Sequence, residues 1–207
     1  MIGTEEYKGY DIEISYEEES ENPIREWDMI GEFCCWHRKY DLGNSNRFGE
    51  GKSTVEELES YAKRTGSLLF SLYLYDHSGI TISLSPFSCP WDSGQVGYVL
   101  VDREKALKEY NKKRLSKQLK DKIYQRIQGE VETYDKYLRG EIYYFNIEKD
   151  GEFIDSCHGF YEEDDAIEDA KGIVDWHKKE ELKKHLEKVK IWIKNNVPLS
   201  CRISFGG

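Results

Sequence analysis

The stretch Tyr73-Leu-Tyr-Asp-His-Ser-Gly-Ile-Thr-Ile-Ser-Leu-Ser-Pro-Phe-Ser-Cys-Pro-Trp-Asp-Ser-Gly-Gln-Val-Gly-Tyr98 decides how the chain is read. It continues an apolar, aromatic run that starts at Leu68 and reads as a strand to Tyr75. Asp76-His-Ser-Gly79 is a short glycine-containing turn, and Ile80 to Leu84 is the returning strand, so the pair predicts a β-hairpin. An irregular loop from Ser85 to Gln95 follows, then a third strand from Val96 to Val101.

Working outward toward the N-terminus, residues 6–17 alternate apolar and polar, which sets Tyr10, Ile12, Ile14 and Tyr16 on one face of a strand. Ile30 to His37 is apolar enough for an interior strand, and Tyr40 to Lys52 is a polar loop with three glycines. Ser53 and Glu56 have the spacing of a capping box for a helix carrying Val55, Leu58 and Ala62, with Gly66 at its C-terminal end.

Toward the C-terminus, Asp102 suits the N-cap of a helix from Arg103 to about Tyr110. Leu119, Ile123, Ile127, Val131, Tyr134 and Leu138 step by three and four, which defines a long amphipathic helix ending at Gly140. Asp150-Gly151 turns a second hairpin, Glu141 to Glu148 and Glu152 to Cys157. A helix starting near Asp164 follows, with a break expected near Gly172. Its last pattern is Leu182, Leu186, Val189 and Ile193, with Trp192 beside it, and residues 198–207 form a short tail with room for one edge strand. Hairpins outnumber strand–helix–strand crossovers. The expected fold class is α+β: an antiparallel sheet built from hairpins and packed by helices on one face. With no low-complexity linker, residues 1–207 are expected to form one domain, with an acidic N-terminal arm over 1–22.

The 207 residues carry a net charge of -10, and that charge is segregated. Residues 1–32 sum to -9 and residues 141–175 to -10, whereas 103–139 sum to +6 and 176–195 to +4. Acidic strand-rich segments therefore alternate with basic helical ones. Internal complementarity explains most of this, and an acidic surface that competes with nucleic acid for a basic protein is the sharper reading. Direct nucleic-acid binding is disfavoured by the overall charge. No apolar run approaches the ~20 residues of a membrane helix, no membrane association is expected, and the first residues lack a secretion signal. Cytoplasmic residence follows. The five cysteines are then reduced thiols rather than a disulfide framework.

Three constellations compete for function. Cys34, Cys35, His37, His77, Cys89, Cys157 and His158 are metal-ligand types, but neither a Cys-x-x-Cys nor a His-x-x-x-His pair occurs, so no metal and no cofactor is expected. Cys89, His77 and Asp92 are the residue types of a nucleophilic triad, and Ser93 adds a hydroxyl without the Gly-x-Ser-x-Gly elbow. No catalytic residue is assigned, and the reading leans away from an enzyme. The third is a binding surface. Trp36, Trp91, Tyr73, Tyr75 and Phe87 supply flat apolar area, and His37, Arg38, Asp76, His77, Ser78, Cys89, Asp92, Ser93 and Gln95 supply directed polar groups. The bland alternative is that the aromatic residues merely anchor the loop while Asp92 and Ser93 cap turns.

Arg25-Glu-Trp-Asp28, Cys35-Trp-His-Arg38, Leu74-Tyr-Asp-His-Ser-Gly-Ile80, Ser85-Pro-Phe-Ser-Cys-Pro-Trp-Asp-Ser-Gly-Gln95, Gly129-Glu-Val-Glu-Thr-Tyr-Asp135, Asp155-Ser-Cys157 and Gly159-Phe-Tyr161 together resemble a family of uncharacterised accessory proteins. Bacteriophages and conjugative elements carry that family, and the resemblance runs from about residue 23 to 175. It implies a mobile-element setting and the cytoplasm of a bacterial host. It carries over no catalytic residue. The function so implied is a non-enzymatic antagonist of a host defence system, of the anti-CRISPR or anti-restriction type, that acts by binding a host protein. The alternatives are a sponge for a small signalling nucleotide and a Cys- or His-dependent hydrolase.

Overall fold

The computed structural model describes residues 2–198. In chain order the elements are β1 (Gly3–Tyr7), β2 (Tyr10–Tyr16), α1 (Pro23–Glu26), β3 (Glu32–Cys35), α2 (Val55–Thr65), β4 (Leu68–Asp76), β5 (Ile80–Ser83), β6 (Ser93–Val101), α3 (Arg103–Glu109), α4 (Lys117–Arg139), β7 (Tyr143–Lys149), β8 (Glu152–Phe160) and α5 (Glu163–Asn196). The class is α+β, and every strand pairing is antiparallel. The strands divide between two four-stranded sheets rather than forming one. The chain correspondingly groups into two compact units: residues up to Tyr16 with those from Tyr143 onward, and residues 17–142.

The first unit has the strand order β1-β2-β7-β8. Its two hairpins turn on Lys8-Gly9 and Asp150-Gly151, and all four residues have positive φ, as a two-residue type I′ turn requires. Asp-Gly announces such a turn in sequence and Lys-Gly does not. For that reason part of the expected N-terminal arm is a hairpin: Gly3–Tyr7 pairs with Tyr10–Tyr16 as the outer strand of the sheet. Tyr10, Ile12 and Ile14 point to one face, as their alternation predicts. With Phe145 and Ile147 they bury Ala166, Ala170 and Val174 of α5. These small side chains, four apart, let the helix lie close on the sheet. The break expected near Gly172 does not occur. A glycine inside a helix costs about 1 kcal/mol, and the buried contacts of Ala170 and Val174 on either side offset it. The edge strand expected within 198–207 lies, Pro198 apart, outside the described residues.

The second unit has the order β3-β6-β4-β5. The apolar stripe of α4 (Leu119, Ile123, Ile127, Val131 and Tyr134) is buried against Phe33, Leu72, Val99 and Val101. Burying a side chain of this size contributes about 1.5–3 kcal/mol. The shorter α2 adds a smaller layer in which Leu58 and Ala62 meet Cys34 and Leu100. Neighbouring residues of a strand face opposite ways, so Cys34 joins the α2 cluster and Cys35 the α4 cluster. The capping box of α2 sits one residue later than expected, on Thr54 and Glu57. Ser53 is otherwise engaged: its hydroxyl accepts from Gly49 N–H and its carbonyl from Trp36 Nε1. Gly97 is required where β6 passes β3, because a Cβ there would sit 2.1 Å from the Cys34 carbonyl oxygen.

Two carboxylates on α4 tie this unit together. Glu130 accepts the backbone N–H groups of Ile30 (2.8 Å) and Gly31 (2.9 Å) just before β3, and it pairs with Arg126 at 3.1 Å. Asp135 accepts the N–H of Ile82 on edge strand β5 at 2.7 Å. Burial pushes the Asp135 carboxyl above the usual range, although the Ile82 N–H and Arg139 pull the other way. The Gly129–Asp135 motif is thereby accounted for as structural. Replacing Glu130 by alanine strands two backbone donors and removes one of the two carboxylates that Arg126 pairs with, leaving it Glu109 at 2.8 Å. The expected loss is about 2–4 kcal/mol, read as a lower urea midpoint with unchanged slope, and Glu130→Gln, which keeps one acceptor oxygen, is expected to lose less.

Candidate functional site

Asp92 organises the loop between β5 and β6. Its backbone carbonyl accepts from Asp76 N–H at 2.8 Å. Its carboxylate lies 3.2 Å from His77 Nδ1 and 3.8 Å from Cys89 Sγ. The Ser93 hydroxyl donates to the Cys89 carbonyl, and the Tyr75 ring lies between His77 and Phe87, at 5.9 and 5.6 Å. Pro86 and Pro90 restrict the backbone further. β6 begins at Ser93, so Ser93 and Gln95 are strand residues rather than loop residues. The loop they bound is short and braced. At its outer end Trp91 is 91% exposed.

Beside it, Trp36, His37, Asp76, Trp91, Asp92, Ser93 and Gln95 line a shallow cleft of about 420 Å³. His77, Ser78 and Cys89 stay on the hairpin turn and loop outside that lining, and Arg38 lines a different depression with His37. Trp36 is an anchor: its indole N–H donates to the Ser53 carbonyl at 2.7 Å and its ring packs on the α2 cluster. His37 Nδ1 accepts the N–H groups of Lys39 and Tyr40, and its ring stacks on Tyr40 at 5.1 Å. Asp76 takes the Tyr40 hydroxyl at 3.2 Å and faces Lys39 at 3.5 Å.

His77 is not paired with a nucleophile in this geometry. Among the described residues neither Cys89 nor Ser93 bonds to His77. The thiol meets the Asp92 carboxylate instead, and the Ser93 hydroxyl donates to the Cys89 carbonyl. Cys34 and Cys35 are further still from reactivity, because burial pushes both thiols up to about 12. The metal-type residues are dispersed: among the described residues no three His, Cys, Asp or Glu side chains converge as a metal centre requires.

The sequence does not announce a second cleft, about 780 Å³, lined by Arg25, Trp27, Asp28, Asp41, Arg47 and Lys105 among others. Its one sequence signal is the Arg25–Asp28 motif. Three of its four cations are matched with acids: Arg25 with Asp41 at 2.6 Å, Arg47 with Glu32 and with Asp102 at 2.8 Å, and Lys105 with Asp28 at 3.7 Å; the fourth, Lys52, donates to the Ser45 carbonyl at 2.6 Å. Asp102 stands at the N-cap of α3, as expected, and its carbonyl accepts the Ala106 N–H at 2.9 Å, but its carboxylate makes no capping bond because Tyr61, Arg47 and Ser67 take it. Burial pushes Asp102 up, and those hydrogen bonds overcome it and hold the group below the usual range. The first unit contributes a different surface. Glu6, Asp11 and Glu148 are direct cross-strand neighbours on the sheet face away from α5, a row of like charges that costs stability in isolation.

Among the described residues no helix is long and apolar enough to cross a membrane. Comparison with protein-family models, with curated proteins and with solved structures finds no match to this chain.

The thiol environments lead to a direct expectation. Native protein treated with an alkylating reagent near pH 8 is expected to label at half-buried Cys89 and Cys157, while Cys34 and Cys35 react only after denaturation. Rapid native labelling of Cys34 or Cys35, read by peptide mass spectrometry, contradicts the burial described.

Proposed function

We propose that this chain is a non-enzymatic binding protein that captures a protein partner through the Trp91 loop. The observation that carries the reading is the near-complete exposure of an indole on a loop braced from within by Asp92, Ser93 and Tyr75. A large aromatic group left in water costs free energy, and a rigid one loses little entropy when it docks. Tryptophan is also enriched among the few residues that dominate interface energies. The surrounding polar groups (Asp76, Lys39, Gln95) suit a rim that sets orientation. The resemblance to accessory proteins of bacteriophages and conjugative elements supports a component of a host defence system as the partner. In that reading the protein is an antagonist of the anti-CRISPR or anti-restriction type, at work in the bacterial cytoplasm.

A second reading, sequestration of a small signalling nucleotide, has its support in the size of the Arg25–Lys105 cleft and in the Trp27 ring beside its cations. Native mass spectrometry separates the two, because a sponge purified from its host carries a nucleotide mass and a protein antagonist does not.

The test is affinity capture from bacterial host lysate with wild-type protein and with Trp91→Ala. Exposure makes the substitution harmless to the fold, so an unchanged urea midpoint is expected. Affinity for the captured protein is expected to fall roughly 30- to 1,000-fold, the range of a central aromatic contact. Undiminished capture by Trp91→Ala refutes the role of the loop. A hydrolytic activity of the wild type that disappears in His77→Ala refutes the non-enzymatic reading.

A further inference from the structure

Among the described residues, the second half of α5 is an amphipathic helix with no core to serve. Residues 166, 170 and 174 are buried on the sheet, and contacts from Tyr10 and Lys149 reach Glu181. From residue 181 to 196 every residue is exposed. That is about 24 Å of helix at 1.5 Å per residue. Helices of this length are marginal in water without packing on an apolar face. Yet the segment carries such a face: Leu182 is 58% exposed, Leu186 48% and Trp192 61%, with Val189 and Ile193 completing the stripe. The steps from Leu182 to Leu186 to Val189 to Ile193 are four, three and four, the a/d spacing of a helix that pairs with another helix.

The charges beside the stripe decide what kind of helix fits. Lys183 and Lys190 occupy the positions next to the seam on one side, and His185 and Trp192 those on the other. Pairing two copies antiparallel sets Lys183 against the other copy's Lys190. Pairing them in parallel sets Lys178 against Lys183 and His185 against Lys190. Neither arrangement offers an acid to a lysine, and like charges across a seam oppose association. The only acid inside the stretch from Leu182 to Asn196 is Glu187, against five lysines. Lys183 reaches Glu180 at 3.5 Å, an exposed pair within one helix turn that water and salt weaken.

We infer that residues 182–196 form a docking helix for an amphipathic helix of a partner protein whose apolar stripe is flanked by acidic side chains. The seam supplies apolar burial, and Lys183 and Lys190 select the acidic flank. The surface lies in a different unit from the Trp91 loop and does not depend on the role proposed for that loop.

The probes are two three-heptad peptides with leucine at the seam positions, one with glutamate and one with lysine at the flanking positions. Each is titrated by calorimetry into the full-length protein. The expected result is one-to-one binding of the acidic peptide, weakening with salt, and no binding of the basic one. In Lys183→Glu/Lys190→Glu the seam and the helix propensity are retained. This variant is expected to bind the acidic peptide at least roughly tenfold more weakly, as attraction becomes repulsion, and to acquire binding of the basic peptide. Circular dichroism establishes that the helix persists in the variant. The inference is overturned if the acidic peptide does not bind. It is also overturned if both peptides bind alike and the variant changes neither, if sedimentation shows the protein pairing with itself through this helix, or if vesicles of phosphatidylserine and phosphatidylcholine take up the protein while the peptides do not bind.

Discussion

The second unit depends on the carboxylates of α4 reaching backbone donors that no strand satisfies. A buried N–H without an acceptor costs about as much as the hydrogen bond it lacks. The chain before β3 presents two such groups, at Ile30 and Gly31, and edge strand β5 presents a third at Ile82. Glu130 and Asp135 meet all three from one helix. The apolar stripe of α4 supplies the adhesion, and the two carboxylates determine where along the sheet that stripe comes to rest. Gly31 fits the same junction for a steric reason, since a Cβ there would meet Val99 at 2.6 Å and crowd Glu130.

In that frame the loop after β5 is held to the hairpin by its own polar groups. A hairpin anchored at Ile82 holds Asp76 and His77 beside the start of β6. Asp92 then spends its carbonyl and carboxylate on fastening the loop to the turn. Cys89, Asp92 and Ser93 bond to one another within the loop, and His77 pairs with Asp92. What remains unspent is the Trp91 indole. The first unit follows another economy: its sheet is covered on one face by the first half of α5, while the opposite face carries the row Glu6, Asp11 and Glu148. Sheet face and helix end both leave charge unbalanced, acidic in one place and basic in the other, and unbalanced charge of this kind favours oppositely charged partners.

Much of the architecture was legible because the signals were local. The α4 stripe, its end at Gly140, the Asp150-Gly151 turn and the strand pairing around Asp76–Gly79 all follow from spacing and turn chemistry within a few residues. The misreadings were those in which a distant group outbid a local one. Ser53 lost its N-cap role to Thr54 because its own groups serve Gly49 and Trp36, and Asp102 kept its N-cap position while its carboxylate went to Tyr61, Arg47 and Ser67. The β1–β2 turn was hidden by a lysine holding a left-handed conformation that glycine or asparagine usually announces. The helix through Gly172 was kept whole by packing that a single glycine cannot reveal.

By itself, then, the sequence determined the α+β class, most element boundaries, the apolar faces and the segregation of charge. These are properties of residues close together in the chain, set by period, turn geometry and side-chain type. Only the tertiary structure decided that the strands form two sheets and that Cys89 meets Asp92 and not His77. It alone also showed Trp36 as an anchor and Trp91 as fully presented, and α5 outrunning the sheet it packs on. Each of these depends on which groups from distant parts of the chain compete for the same hydrogen-bond donor, apolar surface or charge, and distance in sequence carries no record of that competition.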